Sequence, residues 1–271
     1  MSRRKDPPKL VALLRQTVAN QKRPVAFVLA GHNGSGKSTL WSERLSDELQ
    51  IPLINADRLT ASILPERDPE TQTLPEWAQA LRDRNQRWQV ISQQGVRAFT
   101  GLVMEQRLPF AFETVFSHWV KRPDGTFYSS KIEEIHNMRK AGYFVVLLFV
   151  GLVSPRLSFF RVQTRLRTGG HAVAKSKIFS RFPRTQAAIG IASTIADMTV
   201  MFDNSRGPKD AFSLARVQRR TNVLFDCRDP KYYVKRELRF IAGTWMRKVV
   251  GRWPSPGSDE ADGAKPPRRH K

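Results

Sequence analysis

Apolar residues in this chain gather into short blocks separated by longer stretches of amphipathic pattern. Val25-Ala26-Phe27-Val28-Leu29-Ala30 is a continuous apolar run that stops at Gly31, as a strand buried on both faces would. From Lys37 the spacing of Leu40, Trp41, Leu45 and Leu49 is helical, and Pro52 then introduces Leu53-Ile54-Asn55-Ala56-Asp57, read as a second strand that ends in an acid. The Pro- and Asp-containing stretch Leu64 to Pro75 leads into Glu76 to Arg107, read as one or two helices with Gly95 and Gly101 as weak points. Pro109 to Thr114 predicts a third strand, Lys131 to Ala141 a helix and Tyr143 to Val150 a fourth strand. Pro155 to Arg167 and Lys175 to Ala196 predict helices on either side of the Gly169-Gly170-His171 turn, and Met198 to Asp203 a fifth strand. Ser213 to Val217 and Asn222 to Asp226 predict a strand pair, followed by an amphipathic helix around Tyr232 to Val249.

Strands that alternate with helices imply an α/β fold: a doubly wound, mainly parallel sheet with helices on both faces. The expected organisation is a basic lead over 1–24, a core domain over 25–205, a basic appendage over 206–253 and a tail over 254–271. That tail is made of Pro, Gly, Ser and charge and is expected to be disordered.

Composition narrows the function classes. Of 271 residues, 40% are hydrophobic, enough for a full core. Lys and Arg number 46 against 24 Asp and Glu, a net charge of +22, so the partners are expected to be anions: nucleotides, phosphorylated metabolites, nucleic acid or acidic membrane. The single cysteine, Cys227, excludes an internal disulfide and a zinc finger. The longest apolar run, Tyr143 to Val153, spans 11 residues, short of the roughly 20 needed to cross a bilayer. The basic start is followed by no apolar secretory segment, so the expected location is the cytoplasm.

The motifs choose among the anions. Gly31-His32-Asn33-Gly34-Ser35-Gly36-Lys37-Ser38-Thr39 fits the phosphate-loop pattern G-x-x-x-x-G-K-[ST], directly after a strand and before a helix. Its glycines let backbone N–H groups wrap the phosphates of ATP at a helix N-terminus; Lys37 reaches the β and γ oxygens, and Ser38 offers its hydroxyl to Mg²⁺. No Leu-Ser-Gly-Gly-Gln signature follows, which disfavours a transporter-type cassette ATPase.

Asp57, placed at the same sheet edge, is suited to take a proton from an attacking hydroxyl, with capping of the following helix as the alternative. Glu113 and Thr114 end the third strand on that edge, where Glu113 either binds Mg²⁺ through water or holds a substrate hydroxyl. Arg156, Arg161, Arg165, Arg167, Arg181 and Arg184 cluster around the Gly169-Gly170-His171 turn and could stabilise a transferring phosphoryl group. Asp203 is a further candidate, for a distal Mg²⁺ or a base edge. The five histidines show no ligand spacing.

The ordered set of these segments resembles the zeta toxin family, P-loop kinases of UDP-N-acetylglucosamine, from about Val25 to Asn204. The segments that carry the resemblance are the phosphate loop, Asn55-Ala56-Asp57, Phe110 to Ser117, Ala141-Gly142-Tyr143, Arg165 to His171 and Phe202 to Ser205. The resemblance implies that Lys37 and Ser38 serve ATP and Mg²⁺, that Asp57 is the catalytic base and that Asn55, Glu113 and Thr114 hold the substrate. It also implies two phosphate-holding arginines, Arg165 with Arg181, which have Arg167 and Arg184 as close rivals. The acceptor it implies is the 3′-hydroxyl of UDP-N-acetylglucosamine, whose loss starves cell-wall synthesis, with an antitoxin protein as partner. Where many members read Gly-Gly-His-x-Val-Pro, this chain has Ala174 in place of the proline. Two other readings stay open: a kinase for another nucleotide-like acceptor, such as a different nucleotide sugar or a nicotinamide dinucleotide, and an ATP-dependent nucleic-acid-binding protein. The second is motivated by the charge and by aromatics interleaved with basic residues from Arg219 to Arg252.

Overall fold

The computed structural model describes residues 5–71, 73–117, 119–124, 127–128, 131–167 and 173–253. The Gly169-Gly170-His171 turn, His118 and the tail over 254–271 lie outside them.

The chain opens with helix α1 (Leu10–Ala19) and then enters strand β1 (Val25–Gly31). Helix α2 (Lys37–Leu40) continues through a π-helical turn, Trp41–Leu45, into α3 (Ser46–Leu49). Strand β2 (Leu53–Ile54) and helices α4 (Ala56–Ala61), α5 (Glu76–Arg84) and α6 (Gln86–Glu105) precede strand β3 (Phe110–Thr114). A small hairpin, β4 (Val120–Lys121) and β5 (Phe127–Tyr128), leads to α7 (Lys131–Lys140) and β6 (Phe144–Gly151). Helices α8 (Pro155–Arg167) and α9 (Lys175–Ile195) are followed by strands β7 (Met198–Asp203), β8 (Ser213–Arg219) and β9 (Asn222–Asp226), and by helix α10 (Arg236–Val250).

Seven strands form one sheet in the order β2-β3-β1-β6-β7-β8-β9. The pairings from β2 to β7 are parallel, while β8 runs antiparallel to both its neighbours. Every residue of β1, β6 and β7 is buried. Because successive side chains in a strand point to opposite faces, such burial requires cover on both sides of the sheet. Helix α9 packs against α7, α8 and α10, and α1 packs against α3. Tyr143, at the entry to β6, donates its hydroxyl proton toward the carbonyls of Val103 and Leu108, tying the end of α6 to the sheet. Helix α6 runs unbroken through Gly95 and Gly101, the two positions read as weak points. Among the described residues no helix is long and apolar enough to cross a membrane.

The segment read as an appendage is built into the sheet. Strands β8 and β9 extend it by two strands, and α10 buries Leu238, Ala242, Trp245, Met246 and Val249 against it. Trp245 lies over Gly151 at the end of β6 and donates its indole N–H to Asp203 at 2.9 Å. Asp203 also accepts from the Ser205 hydroxyl at 2.7 Å and is wholly buried. This corrects its reading as a Mg²⁺ or base contact: its carboxylate is occupied in holding α10. Some of the excess basic charge is likewise structural. Buried Arg216 pairs with Asp226 at 2.5 Å, and Arg23, Arg139 and Arg220 surround buried Asp197 at 3.5–3.8 Å.

A side-chain carbon added at Gly151 would lie 2.6 Å from the Trp245 ring, whereas one at Gly101 would meet nothing within 4 Å. Gly151→Ala is therefore expected to destabilise the fold by about 1–3 kcal/mol, a Tm drop of roughly 2–12 °C for a chain of this size. Gly101→Ala in mid-helix should raise stability by up to about 1 kcal/mol. Thermal unfolding followed by circular dichroism checks both; an unchanged Tm in Gly151→Ala would mean that α10 is not seated there.

Candidate active site

The site is assembled where the parallel strands end. β1 delivers the chain into the turn 31–36, in which Gly34 (φ 65°) and Gly36 (φ 90°) adopt left-handed backbone that other residues rarely tolerate. At Gly36 a side chain would also lie 2.7 Å from the Asn204 amide. That amide donates to the Ser35 carbonyl at 2.8 Å, and the Ser158 hydroxyl donates to the Asn33 carbonyl at 2.6 Å, so β7 and α8 pin the loop from outside. His32 is buried inside the turn, stacked on Phe182 of α9 with ring centroids 3.7 Å apart and edge-on to Phe149. Burial, helped by the nearby Lys37 charge, lowers its pKa to about 3, and among the described residues neither ring nitrogen has a hydrogen-bond partner. His32 is thus a neutral aromatic packing element of the loop.

Lys37 opens α2 and folds its ammonium back onto the loop, donating to the carbonyls of Gly31 at 3.3 Å and His32 at 3.1 Å. Burial pushes its pKa below the ordinary lysine range; the charges of Glu113 and Asp57 oppose this and that of Arg165 adds to it. All three of those groups therefore lie within electrostatic reach of the ammonium. Carbonyl oxygens are weak competitors for an ammonium beside phosphate oxygens, which leaves Lys37 poised to exchange partners.

Beside it, the Ser38 hydroxyl donates to both Glu113 carboxylate oxygens, at 3.0 and 3.1 Å, and the Asn55 amide donates to Glu113 at 2.7 Å. Thr114, in register with Ala30 of β1, closes the strand next to Glu113. Asn55 also accepts from the Arg58 backbone N–H at 3.1 Å and so caps α4. Two readings of Asp57 are corrected here. β2 is only two residues long, so Asp57 stands in the first turn of α4 rather than at a strand end, and Asn55 rather than Asp57 is the cap. Its carboxylate is nevertheless exposed on the same edge, at the wall of a cleft of about 560 Å³. That volume suits a small-molecule site.

Ser38, Asn55, Asp57, Arg58, Arg67, Arg82, Trp88 and Arg165 are all on the wall of this cleft. Sequence reading missed Arg58, Arg67, Arg82 and Trp88. The Trp88 indole nitrogen is buried with no hydrogen-bond partner among the described residues, an unmet donor of the kind a bound ligand satisfies.

The two expected arginines part company. Arg165 reaches the cleft, whereas Arg181 lies behind the loop, lining a small void with His32, Asn33 and Phe182. Arg184, its rival, is engaged elsewhere: it donates to the Trp119 carbonyl at 2.9 Å and covers that indole ring. Arg161, partly buried beside Gly34, has its pKa lowered chiefly by burial, against the opposing charge of Asp203. The side chain of Arg167 lies outside the described residues.

A glycine-rich turn after a buried parallel strand, a lysine inside it and a serine coupled to a neighbouring carboxylate define the P-loop class of α/β nucleotide-binding proteins. The family model described as zeta toxin matches residues 11–226, and the chain belongs to that family. Among solved structures it is similar to one from the PezAT chromosomal toxin–antitoxin system of Streptococcus pneumoniae. The TM-score is 0.50 at 12% identity, over 91% of this chain and 88% of the other. It is also similar to the AvrRxo1-ORF1:AvrRxo1-ORF2 complex, solved with sulphate ions (TM-score 0.52, 13% identity, 89% of this chain and 81% of that one). The same complex with ATP gives a TM-score of 0.51 at 12% identity, again over 89% and 81%. A protein of Haemophilus influenzae described as uncharacterized is 25% identical over 157 residues, 58% of this chain and 91% of its own length.

Proposed function

We propose that this chain is a kinase that transfers the γ-phosphoryl group of ATP to a sugar hydroxyl of UDP-N-acetylglucosamine, and that it acts as a toxin by withdrawing a cell-wall precursor. The observation that carries the reading is the bonded set Ser38, Glu113 and Asn55, which joins the phosphate loop, with Lys37 on it, to an arginine-lined cleft whose wall includes Asp57. Family membership supports the phosphotransferase class and an antitoxin partner, and the similar complex crystallised with ATP supports the nucleotide.

In this reading the loop amides and Lys37 hold the triphosphate, Lys37 leaving the carbonyls of Gly31 and His32 as it does so. Ser38 and Glu113 offer a hydroxyl and a carboxylate, hard oxygen donors that suit Mg²⁺, and the ion when bound neutralises phosphate charge. Asp57 accepts the proton of the attacking hydroxyl, which then displaces ADP in line. Arg165 offsets charge on the moving phosphoryl group from the cleft side, and Arg181 supports the loop from behind. Arg58, Arg67 and Arg82 receive the acceptor's diphosphate, with Asn55 and Thr114 at the sugar end and Trp88 offering an indole donor.

ADP release from ATP, followed with and without UDP-N-acetylglucosamine, tests this. The reading requires release that depends on the acceptor; no release with UDP-N-acetylglucosamine would point to another hydroxyl acceptor, and release indifferent to it, which is hydrolysis by water, would contradict the reading.

A further inference from the structure

The far side of the carboxyl-terminal unit carries a second concave site that the kinase reading does not use. Arg228, Arg239, Arg247 and Arg252 line a groove of about 510 Å³ along α10, together with Phe240 and Trp253. Only one carboxylate among the described residues balances them: Asp226, which is wholly buried and already accepts from Arg216 and Arg228. Arg228 is fixed further by donating to the Gly251 carbonyl at 2.8 Å, and its guanidinium lies 5.6 Å from the centre of the Trp253 ring. Among the described residues Arg239 donates only to the carbonyls of Cys227 and Tyr232. Arg247 and Arg252 are exposed and have no acidic partner among the described residues. Phe240 stands 75% exposed in their midst, an apolar ring that no described residue covers.

We propose that this groove binds single-stranded nucleic acid, the arginines taking phosphates and Phe240 and Trp253 stacking with bases. Charge complementarity selects a polyanion. Two flat rings set among guanidinium groups fit a chain that alternates phosphates with planar bases. A membrane surface would call for apolar tips on a convex face, and an acidic peptide has no use for the stacking rings. The net charge of +22 would add long-range attraction for the same ligand.

The test is fluorescence anisotropy of a labelled oligonucleotide of about 15 thymidines, titrated with the full-length protein at several salt concentrations. Arg247→Glu/Arg252→Glu should weaken binding roughly tenfold or more at moderate salt and reduce the slope of log K against log[salt] by roughly 1.4, two phosphate contacts' worth. Phe240→Ala should weaken it roughly fivefold or more through lost stacking. Lys22→Glu/Lys140→Glu, an exposed double reversal away from the groove, should bind as wild type at high salt with only a small loss at low salt. Lys37→Ala and saturating ATP should leave oligonucleotide binding unchanged, which separates this site from the kinase cleft. Binding that survives the Arg247/Arg252 reversal, or that ATP abolishes, would overturn the proposal. So would binding of polyglutamate or of phosphatidylserine–phosphatidylcholine vesicles, but not the oligonucleotide, through these arginines.

Discussion

Lys37→Ala is expected to lower phosphoryl transfer by roughly 10²–10³-fold or more, because it removes the preorganised cation nearest to where charge develops on the phosphates. In the proposed mechanism the ammonium meets the β and γ oxygens before and during transfer, so the loss should fall on ATP binding as well as on kcat. The fold itself should tolerate the change. Among the described residues Lys37 bonds only to two loop carbonyls, and its burial disfavours its own charge. Steady-state kinetics beside a thermal melt separates the two effects. Near-normal kcat in a well-folded Lys37→Ala protein would remove the phosphate loop from the mechanism.

Asp57→Asn is expected to lower kcat by roughly 10²–10⁴-fold, the usual contribution of general acid–base catalysis, while leaving ATP affinity nearly unchanged. The distinction rests on position. Asp57 stands exposed on the cleft wall and makes no cap bond, so the amide fills the same space without disturbing α4, whose cap is Asn55. Glu113→Gln behaves differently. It weakens the Ser38–Glu113–Asn55 link itself and should raise the KM for ATP and for acceptor together. Calorimetric titration of ATP into Asp57→Asn, with turnover measured in parallel, checks the split. If ATP affinity and kcat fall together, Asp57 is a binding residue and not the base.

What could be read from the sequence follows from which forces are local. β1, the phosphate loop and the start of α2 are set by an apolar run, glycines at left-handed positions and a helical spacing, all within a few residues of one another. β6 and β7 are legible for the same reason, as uninterrupted apolar runs that only a doubly covered sheet can hide. Asp57 was misplaced by a few residues because Leu53-Ile54 continues into Asn55-Ala56-Asp57 without a break in pattern. The cap bond that the Arg58 N–H donates to the Asn55 side chain ends the strand early, and a composition pattern does not register one side-chain bond.

The far wall of the cleft was not legible. Arg67 comes from an irregular segment and Arg82 and Trp88 from two helices, and they converge only once α5 and α6 are packed. The carboxyl-terminal strands were identified as strands but read as an appendage. What builds them into the sheet is the antiparallel pairing of β8 on β7 and of β9 on β8, and what seats α10 beside them is the fit of Trp245 over Gly151 and its bond to Asp203, contacts between residues remote in sequence. For the same reason Asp203 looked like a chemical residue, when its carboxylate is consumed in packing. Arg165 and Arg181 looked equivalent by distance from Gly169-Gly170-His171, yet the path of α9 behind the loop sends one into the cleft and the other to its back.

Joint action of Asp57 and the phosphate loop on a sugar hydroxyl, as proposed, is tested at the product. Protein, Mg²⁺-ATP and UDP-N-acetylglucosamine are incubated and followed by ³¹P NMR with proton correlation, alongside Asp57→Asn. A new phosphomonoester resonance coupled to a proton of the N-acetylglucosamine ring is expected, growing as ADP appears and absent with Asp57→Asn. ATP left intact, or cleaved only to ADP and inorganic phosphate while the sugar nucleotide is unchanged, would contradict it.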